Sequence, residues 1–153
     1  MPTVADETEC ALLVLPEALI SVSRQSGECG VGLRLFGNRV GLASLSSILL
    51  WLKANAYRRE FLSLTELSFI RSEASLSLSL RISEGEGSTN LGELRTLDRV
   101  SEIEWEMTED DLQRIALRLH YLASVPEHEY EVLEVGSSKA QVELRLSDAA
   151  VYL

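Results

Sequence analysis

The sequence predicts an α+β protein. It reads as a tandem pseudo-repeat of β-α-β-β units, with an N-terminal β-hairpin and two helices packed on one face of one or two antiparallel sheets. Two stretches carry apolar residues at helical spacing, several short stretches alternate apolar with polar residues, and the order strand, cap, helix, strand, strand occurs twice. The expected division is 1–83 for the hairpin and first repeat, 84–101 for a linker and connecting strand, and 102–153 for the second repeat. The three together make one compact unit, because 153 residues with 46% hydrophobic content suffice for one core.

Segments 11–15 and 18–23 flank Pro16-Glu17 and are expected to form the hairpin. A helix follows over 40–54. Asn38 is its N-cap, and residues 42, 45, 48, 49 and 52 make one apolar face. Strands are expected at 61–67 and 75–83, the latter because Leu76, Leu78, Leu80 and Ile82 alternate with serines and Arg81. The run EGEGSTN over 84–90 reads as a linker turn. Ile103, Trp105 and Met107 alternate with Glu102, Glu104 and Glu106, which predicts a strand. A second helix spans 109–124, capped by Thr108, with three acidic residues at its positive end and Pro126 beyond its close. Strands at 130–135 and 141–146 complete the pattern.

At an offset of 70, Asn38 lies over Thr108, and Leu42, Leu45, Leu49 and Leu52 lie over Leu112, Ile115, Leu119 and Leu122. Trp51 lies over Tyr121. Leu80-Arg81-Ile82-Ser83 matches Leu144-Arg145-Leu146-Ser147 at an offset of 64. Duplication and convergence on one pattern both fit this agreement.

The formal net charge of −10 argues against nucleic-acid binding, which needs clustered Lys and Arg. The charge is also lopsided: residues 1–97 carry 11 acidic and 9 basic side chains, and residues 98–153 carry 13 and 5. Glu102, Glu104 and Glu106 share one strand face at roughly 7 Å spacing, from two residues of strand rise. Glu109, Asp110 and Asp111 follow in the next turn, and Glu127, Glu129 and Glu131 alternate again. A solvated outer face and a docking patch for a basic protein both account for this crowding.

The helices offer a second candidate surface. Opposite its leucine face the first helix shows Ala43, Ser47 and Leu50, with Trp51 beside them; the second shows Leu117 and Tyr121. Either the helices cover these residues by packing on each other, or the stripe is a homodimer or partner interface.

No targeting segment or membrane-length apolar run is visible, and Cys10 and Cys29 show no paired motif, so the cytoplasm is the expected address. His120 and His128 are the two histidines, and no hydrolase elbow, zinc-protease motif or phosphate loop occurs. No catalytic residue, cofactor or metal ligand is therefore assigned, and an enzyme is not expected.

A strand followed by Gly37-Asn38-Arg39-Val40-Gly41-Leu42-Ala43-Ser44-Leu45, opening a leucine-rich helix before two strands, resembles small bacterial immunity proteins that partner secreted polymorphic toxins. The resemblance covers 33–83 and, more loosely, 103–147. It implies a non-enzymatic inhibitor that masks a basic partner such as a secreted toxin, with the acidic residues of the second repeat as its surface. A secretion chaperone or adaptor binding through the apolar helix stripe is the alternative.

Overall fold

The computed structural model describes residues 12–27, 30–55, 61–73, 76–84, 91–96, 101–125, 130–135 and 140–146. In chain order these form β1 (Ile20–Gly27), β2 (Gly30–Gly37), α1 (Arg39–Ala54), β3 (Phe61–Ser63), a 3-10 turn (Leu64–Glu66), β4 (Ile70–Ser72), β5 (Ser77–Ile82), β6 (Glu93–Thr96), β7 (Glu102–Met107), α2 (Glu109–Ser124), β8 (Tyr130–Val135) and β9 (Ala140–Leu146). The α+β class is as expected.

The strands make two sheets. One runs β4-β1-β2-β9-β8 and the other β3-β5-β7-β6. Both are mixed rather than antiparallel, which corrects the expectation. The pairs β1–β2, β8–β9, β3–β5 and β6–β7 are antiparallel, while β1–β4, β2–β9 and β5–β7 are parallel. Parallel neighbours need long crossovers between them. Here those crossovers are whole strand and helix segments, so strands distant in sequence become the central pairs.

The hairpin also lies elsewhere than expected. Residues 12–19 contain turns and no strand, and β1 instead pairs along its length with β2, from Ile20 opposite Gly37 to Gly27 opposite Gly30. Pro16 has no amide proton, and Glu17 sits at φ 66°, off the strand conformation. The segment bonds to the start of α1 instead: Leu15 N–H donates to Ser44 Oγ at 2.9 Å, and Leu19 N–H donates to Asn38 Oδ1 at 3.2 Å.

One buried cluster joins the two sheets to the helices. It takes Ile20, Val22, Leu33, Leu35, Leu133 and Val142 from the first sheet and Leu62, Leu78, Leu80, Ile103, Trp105 and Met107 from the second. Leu42, Leu45, Ile48, Leu49 and Leu52 of α1 and Leu112, Ile115, Leu119 and Leu122 of α2 belong to the same cluster. These are the helical faces that the spacing identified. Trp105 Nε1–H, buried with its ring, donates to the Leu91 carbonyl at 2.9 Å. Among the described residues, no helix is long and apolar enough to cross a membrane.

Candidate protein-interaction surface

Each helix starts where a short polar side chain replaces its first missing bond. Asn38 Oδ1 accepts from Gly41 N–H at 2.7 Å, and Thr108 Oγ1 accepts from Asp111 N–H at 3.2 Å. Asp111 completes a capping box by accepting from Thr108 N–H at 3.1 Å. Gly41 is needed at its position because a Cβ there would lie 2.4 Å from the Leu19 carbonyl oxygen. The N-terminal segment and the first turn of α1 therefore pack backbone to backbone.

The helices lie antiparallel. Arg39 Nη1, at the start of α1, donates to the Ala123 carbonyl at 3.0 Å, and Lys53, near its end, bonds to Gln113. Midway, the buried Ser46 hydroxyl donates to the Ala116 carbonyl at 2.7 Å. Small residues at the crossing, Ser46 and Ala116, let the backbones approach.

Facing away from the core, each helix leaves large apolar residues exposed. Leu50 is 45% exposed, Leu117 58% and Tyr121 49%. Ser47 is exposed as well, and Ala43 and Trp51 are half-buried. Of the six residues of the expected stripe, Ser47, Leu50, Leu117 and Tyr121 are thus exposed, Ala43 is half-buried, and Trp51 packs against the core cluster. The seam between the helices buries Ser46 and Ala116, while Leu50, Leu117 and Tyr121 stay exposed. Beside α2, Leu91, Arg114, Leu117, Arg118 and Tyr121 line an open cleft of about 240 Å³. Sequence reading missed Leu91 and the two arginines here, because nothing local links residue 91 to the side of a helix that starts at 109.

Among the described residues, several of the predicted acidic side chains are engaged within the fold. Glu102, Glu104 and Glu106 share a face of β7, as alternation requires, but the strands on either side supply arginines. Glu104 is buried and its Oε2 lies 3.0 Å from Arg81 Nε of β5, while Glu106 Oε1 lies 2.6 Å from Arg95 Nη2 of β6. Arg81 also stacks over Phe61, 5.7 Å from its ring centre. Asp111 is buried in its capping box and lies 3.4 Å from Arg114 Nη1. Glu102 is half-buried, and Glu109 and Asp110 are exposed on the first turn of α2. Glu127 and Glu129 lie outside the described residues, as does the side chain of Glu131 on β8. The expected continuous docking surface is thereby reduced to Glu109 and Asp110 among the described side chains, with Glu102 partly accessible.

His120 is exposed on α2, with Nε2 3.5 Å from Ser124 Oγ. No group of three or more His, Cys, Asp or Glu residues able to hold a metal occurs among the described residues. Cys10, Cys29 and His128 lie outside them.

Comparison with protein-family models, with curated proteins and with solved structures finds no match to this chain.

Proposed function

We propose that the chain is a non-enzymatic protein-binding module of the adaptor or chaperone class, and that it docks its partner on the outer face of the α1–α2 pair. The observation that carries this reading is the exposure of Leu50, Leu117 and Tyr121 together on two helices whose opposite faces fill the core. Single exposed apolar residues are ordinary on a monomer. A group of two leucines and an aromatic on a rigid two-helix platform has the composition of an interface centre.

A duplicated architecture supports the same reading. We read the chain as two ββαββ units, β1-β2-α1-β3-β5 and β6-β7-α2-β8-β9, that exchange strand pairs between sheets. In the first sheet Leu33, Leu35 and Gly37 of β2 pair with Val142, Leu144 and Leu146 of β9. Shifting β2 forward by 70 and β9 back by 64 turns these pairs into Ile103–Leu78, Trp105–Leu80 and Met107–Ile82, which are pairs of the second sheet. Ser46 and Ala116, at the helix crossing, are also 70 apart. Such an arrangement sets two equivalent helices side by side and turns both outer faces the same way.

The exposure of Glu109 and Asp110 favours a second reading, an immunity-type inhibitor whose basic partner meets the first turn of α2. A photo-cross-linking side chain at position 117, introduced in the native host, tests the first reading against an equivalent probe at the exposed Thr96 of β6. The helix face is the docking surface if position 117 gives a discrete protein adduct and position 96 does not; absence of an adduct at 117 refutes it. The second reading instead requires partner binding that weakens steeply with added salt and is lost in Glu109→Gln/Asp110→Asn.

A further inference from the structure

Resting on the two-unit reading of the chain, we propose that the outer edge of β6, a surface apart from the helix face, is a strand-addition site. Its occupant is an extended segment of a partner protein, parallel to β6, that sets a basic residue beside Glu93 with an apolar residue before it.

The two sheets correspond except at this edge. Phe36, Leu35 and Arg34 of β2, shifted forward by 70, fall on Glu106, Trp105 and Glu104 of β7. Opposite them stand Ser21, Val22 and Ser23 of β1 in one sheet and Glu93, Leu94 and Arg95 of β6 in the other. β6 is therefore the counterpart of β1 at an offset of 72. Burial agrees: Val22 and Leu94 both pack into the core, and Glu93 and Arg95 are exposed. At their far edges the sheets end alike, in β8 and in β3. At the near edge β1 carries β4, whereas β6 is the last strand among the described residues. The cause is chain length. Residues 64–76 separate β3 from β5 and hold the 3-10 turn and β4, while only 136–139 separate β8 from β9, too few for another strand.

The first half shows what such an edge accepts. β4 runs parallel to β1, with Arg71 beside Ser21 and Ser72 beside Val22. Ile20 N–H donates to the Phe69 carbonyl at 2.9 Å, and Glu73 N–H donates to the Val22 carbonyl at 3.1 Å. Backbone groups alternate in direction along a strand, so those of Val22 face β4 and those of Ser21 and Ser23 face β2. By the same alternation the N–H and carbonyl of Leu94 point away from β7 and offer a pairing edge. Side chains alternate too: Ile70 is buried and Arg71 exposed, and an added segment needs that order. Charge then selects the basic residue. In the place of Ser21, β6 has the exposed Glu93, directly opposite Glu106. Arg95 answers Glu106 at 2.6 Å, and a cation in the place of Arg71 would answer Glu93. A segment as short as β4 pairs no further than Leu94, and Thr96 lies beyond it.

The sequence of β4 itself supplies the probe, a labelled synthetic peptide of Leu67 to Ser75 titrated into the purified full chain and followed by fluorescence anisotropy. Saturable binding with a Kd below about 1 mM is expected, with slowed amide exchange at Leu94. N-methylation of the peptide at Glu73 removes the donor to the Leu94 carbonyl and is expected to weaken binding by about fivefold or more. Glu93→Lys is expected to weaken it by about threefold, and Arg71→Glu in the peptide to recover binding on that variant. Absence of saturable binding, or indifference to either the methyl group or the charge exchange, overturns the proposal. Amide exchange in the free chain separates this failure from failure of the two-unit reading. If Leu94 exchanges fast and Arg95 slowly yet no peptide binds, the register between the units stands and the site does not. If Leu94 is protected in the free chain the edge is already covered and the site falls; if Arg95 is also unprotected, the register falls with it. Neither outcome alters what a probe at position 117 reports of the helix face.

Discussion

The hydroxyl of Ser46 and the carbonyl oxygen of Ala116 meet at 2.7 Å in the buried seam between α1 and α2. The Ala116 carbonyl lies mid-helix, where an α-helix already uses one of its lone pairs along its own axis, so the serine takes the second. Ser46→Ala removes that bond while keeping the small volume, and a loss of about 1 kcal/mol is expected. Ser46→Leu must push the helices apart, and overpacking of this kind costs about 1–3 kcal/mol. Denaturant unfolding of the two variants checks the order: leucine worse than alanine.

Asn38 serves two segments at once. Its side-chain oxygen accepts from Gly41 and Leu19, and its amide donates to the Glu17 carbonyl at 2.8 Å. Asn38→Ala is expected to cost about 1–2 kcal/mol, toward the upper range for a lost cap. It also speeds amide exchange at Leu19, whose acceptor is gone. Thr108→Ala loses a cap without a strap attached, so its effect on exchange stays within α2.

Glycine to alanine usually favours a helix, but Gly41→Ala is expected to destabilise because its Cβ would lie 2.4 Å from the Leu19 carbonyl oxygen. Gly92→Ala meets a double obstacle, a φ of +86° and a Cβ 2.4 Å from the Glu106 carbonyl oxygen. Both should lower the melting midpoint, and Gly92→Ala should also change tryptophan emission, since the added carbon comes within 2.9 Å of Trp105 Nε1.

Glu104 and Asp110 differ in burial, and substitution separates them. Glu104 is buried against the more exposed Arg81, so Glu104→Gln leaves that guanidinium without its charged partner, and a loss of about 1–3 kcal/mol is expected. Asp110→Asn, on the surface, should change stability by about 0.5 kcal/mol or less. Thermal unfolding of the two single variants measures the contrast, and equal effects would refute the assignment of Glu104 as an internal partner.

Leu42 and Leu50 are eight residues apart on one helix, the first fully buried and the second 45% exposed. Leu42→Ala is expected to cost about 2–5 kcal/mol, and Leu50→Ala much less. Urea midpoints for the two proteins check this.

Local features were readable in the sequence and non-local ones were not. Both helices begin and end within a residue of expectation, because caps, apolar spacing and terminal polar residues are all encoded within a few positions. Strands β7 and β8 were likewise visible in their alternation. The pattern over 61–67 predicts one strand, but the chain enters a 3-10 turn at Leu64, and 12–19 alternates too weakly to reveal that its backbone bonds to the cap of α1. Register and strand neighbours depend on parts of the chain far apart. Nothing near Glu104 announces that Arg81 will lie beside it, so three carboxylates that looked exposed proved to be partly paired. The helix stripe was legible because a helix fixes its own faces.

The pairing of each early strand with one made much later has a consequence for synthesis on the ribosome. β2 and β5 emerge early, yet each is completed by a later strand, β9 for the first and β7 for the second. The nascent first half can close neither sheet, and its leucine-rich helix face waits for α2. Acquisition of the native state is therefore a late, nearly all-at-once event once β9 clears the exit tunnel. Until then the polypeptide depends on holding factors or on speed to avoid sticking to its neighbours.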